Sequence, residues 1–129
     1  MIPDVGVSIA QLVELVESEG RVVHDFVPED PIAPCWIIQG SEDVIQLDPD
    51  STYGQEYLVT LDVVILVPLD TEHDNKSATT SLWSALRDLA TALASTEGDW
   101  WIERIGQPGT LQTLHWQHHG VLATVRTRT

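Results

Sequence analysis

Three residues at alternate positions, Asp48, Asp50 and Thr52, form the arrangement in this chain that comes nearest to a catalytic motif. They follow a short apolar run at 44–47, which predicts a strand that ends where the acids begin. Two carboxylates so placed can supply a nucleophile and a second acid for phosphate-ester hydrolysis, with a magnesium ion to offset the phosphate charge. A phosphohydrolase is therefore the first hypothesis to weigh.

The surroundings of this motif argue against catalysis. In phosphohydrolases of the haloacid dehalogenase type the motif lies in a parallel α/β sheet, where a helical crossover follows the strand. Here the next predicted element is another strand, and the only lysine, Lys76, has no acidic metal-binding motif beside it. We interpret 48–52 as a solvated turn initiated by Asp and Pro, and keep a phosphatase as an alternative that Asp48→Asn would test.

The same stretch lacks the pattern of a calcium-binding loop. Counted from Asp48, an EF-hand needs glycine at the sixth position and glutamate at the twelfth, where this chain has Tyr53 and Val59. An EF-hand is therefore excluded, while a looser divalent site shared with a neighbour's acids stays open.

Three histidines, His115, His118 and His119, lie close together near the last predicted turn, and imidazoles can bind zinc or nickel. We place His115 and His119 on opposite sides of a hairpin with His118 at its tip, so a third or fourth fixed ligand is lacking. No metal and no cofactor are expected. The chain also has no glycine-rich phosphate loop and no Gly-x-Ser-x-Gly elbow, so we predict that it is not an enzyme.

The charge balance limits the partners of the protein. The 129 residues include 20 Asp and Glu against 6 Lys and Arg, a formal net charge of −14. Binding to a DNA or RNA backbone needs clustered cations, and Arg104, Arg126 and Arg128 are too few and scattered to form a basic stripe. An anionic membrane would repel the chain. No apolar run is long enough to span a membrane, and the N-terminus predicts no signal peptide, so synthesis in the cytoplasm is expected.

Periodicity predicts the first half of the fold. Ser8 and Gln11 form a capping box that would start a helix, and Gly20 would end it. A first strand is expected at 21–27, and a loop with three prolines precedes an extended run from Cys35. The polar stretch 40–56 is expected to be the longest irregular segment.

The segment 57–67 carries the clearest strand pattern, with apolar residues at every odd position facing the core. On the other face, polar residues give way to Val64 and Leu66, which a second layer or a neighbouring subunit must cover. A helix of about twenty residues follows and ends near Gly98. Its apolar stripe consists of five residues: Leu82, Ala85, Leu86, Leu89 and Leu93.

The C-terminal third is predicted to be a three-stranded meander over 99–105, 111–116 and 121–126, with a type II turn at Pro108-Gly109. Trp100 and Trp101 must point to opposite faces, so one belongs to the core and the other is an interface anchor. The expected fold is a single α+β domain over 1–129. It has a mixed, mainly antiparallel sheet, with a short N-terminal and a long central helix packed on one face.

In the order of its elements the chain resembles the tail terminator proteins of long-tailed bacteriophages, which are also described as minor tail or neck proteins. The resemblance covers nearly the whole chain. It comprises a capped N-terminal helix, the Pro-x-Trp strand start at Pro34 to Trp36, an acidic mid-loop, a long strand that closes in Val67-Pro68, an acidic loop and an amphipathic helix.

The resemblance implies a virion protein of the tail or neck region. It implies a homo-hexameric ring that caps the tail tube, ends tube polymerisation and joins the tail to the head connector protein, while DNA passes without specific binding. Interface candidates are Val64, Leu66, Trp100 and Trp101. Candidates for acidic loops that face the lumen or the tube are Asp48, Asp50, Asp70, Glu72 and Asp74. The alternatives are a head–tail connector or stopper and, in a different class, an acidic inhibitor that mimics DNA.

Overall fold

The computed structural model describes residues 2–17, 22–49, 56–68, 75–112 and 117–128. In chain order the elements are α1 (Val5–Glu17), β1 (Val23–His24), β2 (Cys35–Leu47), β3 (Tyr57–Val67), α2 (Asn75–Ala94), β4 (Trp100–Ile105), β5 (Gly109–Gln112) and β6 (Gln117–Arg128). These two helices and six strands confirm the predicted α+β class.

The strands form one mixed sheet in the order β1-β2-β3-β6-β4, with β5 also paired to β6. β1 runs parallel to β2, and every other pair is antiparallel. The predicted strand at 57–67 is confirmed as β3, which lies between β2 and β6 at the centre of the sheet. β1 and β4 are the outermost strands of this order, so they lie on opposite sides of the domain.

Both helices pack on the same face of the sheet. Odd-numbered residues of β3 share one apolar cluster with Leu12 and Val16 of α1 and with the stripe of α2. All five residues of that predicted stripe are buried. Burying a Leu-sized side chain contributes about 1.5–3 kcal/mol, so this one-sided core is the main source of stability.

The start of α1 differs from the prediction. The helix begins at Val5, because Asp4 precedes it as the N-cap and its Oδ1 accepts a hydrogen bond of 2.9 Å from the Gly6 amide. The carbonyl of Asp4 accepts from the Val7 and Ser8 amides. Ser8 lies within the helix and is buried, so the predicted capping box at Ser8 is wrong. Gly20, the predicted end of the helix, lies outside the described residues.

Two predictions around β2 are also corrected. The first strand is only Val23–His24, and the supposedly irregular stretch 40–47 belongs to β2. Gly40 lies opposite Leu61 and Ile45 lies opposite Val59. The four residues 41–44 therefore bulge out opposite a single residue of β3. A Cβ on Gly40 would come within 2.6 Å of a Val44 methyl carbon. Glycine has no Cβ and therefore allows this close approach at the start of the bulge.

The C-terminal third is not a meander. β4 and β5 both pair with β6 and lie end to end along its edge. The connection does not reverse, because the Gly106 amide donates 2.8 Å to the Leu122 carbonyl and keeps the chain beside β6. Pro108-Gly109 therefore belongs to the link that continues from β4 into β5 beside β6. The predicted hairpin turn there is wrong.

Candidate functional site: the open face of the sheet

We call the face of the sheet that points away from α1 and α2 the open face. Even-numbered residues of β3 point to it, since side chains alternate along a strand and the odd ones lie in the core. One end of this face is apolar and the other is polar. The change occurs along β3, where Thr60 and Asp62 are followed by Val64 and Leu66.

The apolar end is covered in part by the chain itself. Cys35, Ile37 and Leu66 are buried there, and Ala33, Val64 and Leu111 are partly buried against them. Leu66 has no exposed surface, so it cannot contact a partner in this conformation and is corrected as an interface candidate. Burial raises the pKa of the Cys35 thiol, which disfavours the reactive thiolate.

At the polar end, the side chain of Arg126 contacts residues of three other strands. From β6 its Nε donates 3.1 Å to the Thr60 hydroxyl of β3, and a terminal nitrogen donates 3.4 Å to Oε1 of Gln46 on β2. The same guanidinium forms an ion pair with Glu103 of β4. One half-buried cation thus connects side chains of β2, β3 and β4 to β6, and it pairs with the carboxylate of Glu103.

Arg128 forms a second set of contacts farther along β6. Its Nε donates to a carboxylate oxygen of Asp48 and lies 3.8 Å from an oxygen of Glu56. The guanidinium also stacks 5.6 Å from the ring centre of Trp101. The Asp48 side chain is only 2% exposed. Asp48 is therefore a structural partner of Arg128, which corrects its prediction as a solvated residue facing a lumen or tube.

At the polar end of this face, Asp62 is a titratable group whose pKa is shifted by its environment. Burial raises its pKa, against the opposing effects of hydrogen bonds from Thr124 and Ser41 and the positive charge of Arg104. The Thr124 hydroxyl lies 3.4 Å from Oδ1 of Asp62. A raised pKa can mark a catalytic acid, so the space beside it decides between a site and a structural group.

The space available on the polar end is small. Arg104, Arg126 and their neighbours line a pocket of about 210 Å³. Pockets for small-molecule ligands usually span about 300–1,000 Å³. A larger groove of about 590 Å³ lies elsewhere, between α1 and the end of α2, but its charged lining residues are Glu14 and Asp99. Asp48, the nucleophile of the phosphatase alternative, lines neither of these two spaces.

Metal binding finds no support among the residues that the structure describes, where no three His, Cys, Asp or Glu side chains come together. His118 and His119 are neighbours within β6, and the predicted position of His118 at a hairpin tip is wrong. His119 is buried, with Nε2 3.4 Å from the Thr79 hydroxyl of α2. His115 lies outside the described residues.

The other predicted site residues fall into three groups. Trp100 lies in the helix-side core and cannot be an interface anchor, while Trp101 is half-buried on the open face. Val64 is also half-buried there, so Val64 and Trp101 remain interface candidates. The remaining acidic candidates lie outside the described residues: Asp50, Asp70, Glu72 and Asp74.

Sequence reasoning missed that the three arginines converge. Arg104, Arg126 and Arg128 project onto the open face, each beside at least one acid. The spacing of two between Arg126 and Arg128 was the available signal, because residues two apart in a strand share a face. The position of Arg104 beside them depends on the bulge in β4 between Ile102 and Arg104, and no pattern in the sequence predicts that bulge.

No protein-family model matches the chain. No curated protein matches its sequence. Across the described parts of the chain, neither helix is long and apolar enough to cross a membrane.

Proposed function

We propose that this chain is a structural subunit of a phage virion that assembles into a ring, caps the tail tube and ends its polymerisation. The open face carries this proposal. Two of its arginines, Arg126 and Arg128, pair with the chain's own acids, and the pocket lined by Arg104 and Arg126 is smaller than a typical ligand site. Such a surface suits contact with another protein better than catalysis or binding to nucleic acid.

The elements that carry the resemblance to tail terminators are consistent with this role. The strand that follows Pro34, the long strand before Pro68 and the amphipathic helix are present as β2, β3 and α2. In the proposed ring the partners are identical subunits, the tail tube protein and the head connector protein. A net charge of −14 per subunit would repel DNA phosphates and let the genome pass without adhering.

The same charge opposes assembly, because six copies at −14 each carry −84 before counterions bind. Salt screens such repulsion over about 10 Å at 0.1 M ionic strength. We therefore expect moderate salt or magnesium to promote the ring. Assembly that weakens as salt rises from low to moderate concentration would contradict this electrostatic account.

Sedimentation velocity of the purified protein tests the proposal directly. The chain has a mass of 14.3 kDa, and a species near six times that mass in moderate salt or magnesium is the expected result. A monomer at every concentration and salt condition would overturn the proposal of a self-assembling ring. It would also favour the acidic DNA mimic, which predicts stoichiometric capture of a DNA-binding enzyme.

Partner binding separates a terminator from a connector. A terminator should bind the end of a tail tube, whereas a connector or stopper should bind a portal complex. Pull-down of the tagged ring with each assembly, followed by electron microscopy of tube ends, distinguishes the two. Binding to the portal alone would replace the terminator with the connector.

A further inference from the structure

Two surfaces that expose large apolar side chains lie on opposite halves of the sheet. The first is the segment 22–32, which we call the edge segment because it includes the outermost strand β1 and the chain that follows it. The second is the outer surface of α2, around Trp83 and Arg87. α2 packs over β3, β6 and β4, whereas α1 packs over β1, β2 and β3, so the two surfaces are separated across the sheet.

The edge segment combines large apolar side chains with acids. Four of its side chains are between 48 and 83% exposed: Val22, Phe26, Val27 and Ile32. The ring of Phe26 contacts His24 edge-on at 5.6 Å and otherwise projects outward. Asp25, Glu29 and Asp30 are exposed among them, with no Lys or Arg within the segment. Several large apolar side chains exposed together mark an interaction surface.

The outer surface of α2 has the opposite character. Trp83 is 51% exposed, and Arg87 is exposed one turn later on the same side of the helix. Arg87 is the only charged residue in the exposed class on α2 between 80 and 94, and the neighbouring Asp88 is half-buried. In a chain with a large excess of acids, an aromatic residue beside a lone cation is a distinctive surface. Tryptophan and arginine are also the residues that most often dominate binding energy at protein interfaces.

We infer that the edge segment of one copy docks on the outer surface of α2 of the next copy. This inference rests on the proposed ring and names the contact that builds it. The apolar side chains of the edge segment would cover Trp83, and its acids would pair with Arg87. The occupant is a second copy because this chain supplies both complementary surfaces, the acids of the edge segment and the cation of Arg87.

The location of the two surfaces determines the type of assembly. Because they differ and lie on opposite halves, each copy can use one surface for each neighbour. Contacts of this head-to-tail kind close into a ring when the rotation between subunits allows it. A symmetric dimer, in which one surface meets itself, would bring the three acids of one edge segment against those of another.

Charge reversal tests the pairing. Arg87→Glu and Asp30→Arg should each weaken subunit association at least about tenfold in sedimentation velocity, and the double variant should recover most of the loss. Glu17→Arg is the matched control for Asp30→Arg, since it makes the same reversal of charge at an exposed position on α1, outside both surfaces. All of these positions are exposed, and thermal unfolding verifies that each variant folds.

A mixing experiment tests the head-to-tail arrangement. Arg87→Glu disables the α2 surface, and Phe26→Asp disables the edge segment. Each variant alone should be monomeric, while an equimolar mixture should stop at a dimer, because only one intact surface of each kind remains. Full assembly of either variant alone would overturn this interface while the ring itself stands. A wild-type chain that is monomeric throughout would overturn the ring and this contact together.

Discussion

The guanidinium of Arg128 pairs with the buried carboxylate of Asp48, 80 residues away in sequence. The pair joins the end of β6 to the residue that follows β2, across the intervening strand β3. Arg128 is about half exposed, whereas Asp48 is almost fully buried. The acid therefore depends on the arginine more than the arginine depends on the acid.

Removal of Arg128 should be strongly destabilising. Arg128→Met leaves the Asp48 carboxylate buried with one fewer partner, and losing one member of a buried ion pair costs about 3–5 kcal/mol. Arg128 is about half exposed and Asp48 keeps other contacts, so we expect the free energy of unfolding to fall by about 3 kcal/mol, the lower end of this range. Urea unfolding measures this loss. The double variant Arg128→Met with Asp48→Asn should recover part of it. Additive losses in this cycle would show that the pair contributes no coupling energy.

A matched pair of glycines tests the packing between β3 and β6. A Cβ on Gly120 would lie 2.5 Å from the Ile65 carbonyl oxygen and within 3.0 Å of Leu66 and Leu111 side-chain atoms. Gly120→Ala should therefore lower the free energy of unfolding by about 1–3 kcal/mol, as overpacked substitutions do. At Gly109 the added Cβ meets nothing within 4 Å, so Gly109→Ala is the control and should change stability little. Equal effects of the two variants would contradict the register of β6.

Asp62 makes stability depend on pH. Burial raises its pKa in the folded chain, so the folded state binds this proton more tightly than the unfolded state does. The contribution of Asp62 to stability is therefore greatest below the unfolded pKa and falls as pH rises through the folded pKa. Asp62→Asn should be more stable than the wild type at neutral pH, with an advantage that disappears in acid. Urea unfolding from about pH 3 to pH 7 measures this difference.

The control for Asp62→Asn is Glu42→Gln, which removes one negative charge from an exposed position in the bulge of β2, outside the proposed interface. It corrects for the general relief of repulsion in an acidic chain. If the two variants gain the same stability at neutral pH, burial of Asp62 has no specific effect.

Asp4 is expected to determine where α1 begins. Asp4→Ala removes the side-chain acceptor of the Gly6 amide, and loss of an N-cap of this kind costs about 1 kcal/mol. Glu17→Ala removes an acid at the other end of the same helix, where a negative charge is unfavourable, and should be neutral or slightly stabilising. Thermal unfolding of both variants compares them. No loss from Asp4→Ala would mean that the helix is capped elsewhere.

Periodicity predicted the elements that pack against the core. β3 and the stripe of α2 were found because their apolar residues repeat every two or every three to four positions, and burial of one face enforces that pattern. The bulge at 41–44 and the end-to-end arrangement of β4 and β5 were missed. Both depend on hydrogen bonds to distant strands, such as the one from Gly106 to Leu122, which leave no periodic signature.

The candidate site was predicted less well than the fold. Asp48 was interpreted as solvated because Asp followed by Pro is typical of a turn, whereas its buried position depends on the ion pair with Arg128, which is distant in sequence. The edge segment was predicted as the end of a first strand followed by a proline-containing loop, and no surface role was assigned to Phe26, Val27 or Ile32. Exposure of such side chains follows from tertiary packing, since local sequence does not say which loop residues the core leaves uncovered.

The pairing of β3 with β6 also shapes how the chain folds. Leu58 lies opposite Arg128 and Val67 opposite His119, so the centre of the sheet joins segments that are far apart in sequence. Closing so long a loop loses chain entropy before the contacts form, which slows folding. The hairpin of β2 and β3 is local and should form earlier, leaving the apolar edge of β3 transiently unpaired. We therefore expect the folding yield to fall as protein concentration rises, because that edge can pair with another chain before β6 reaches it.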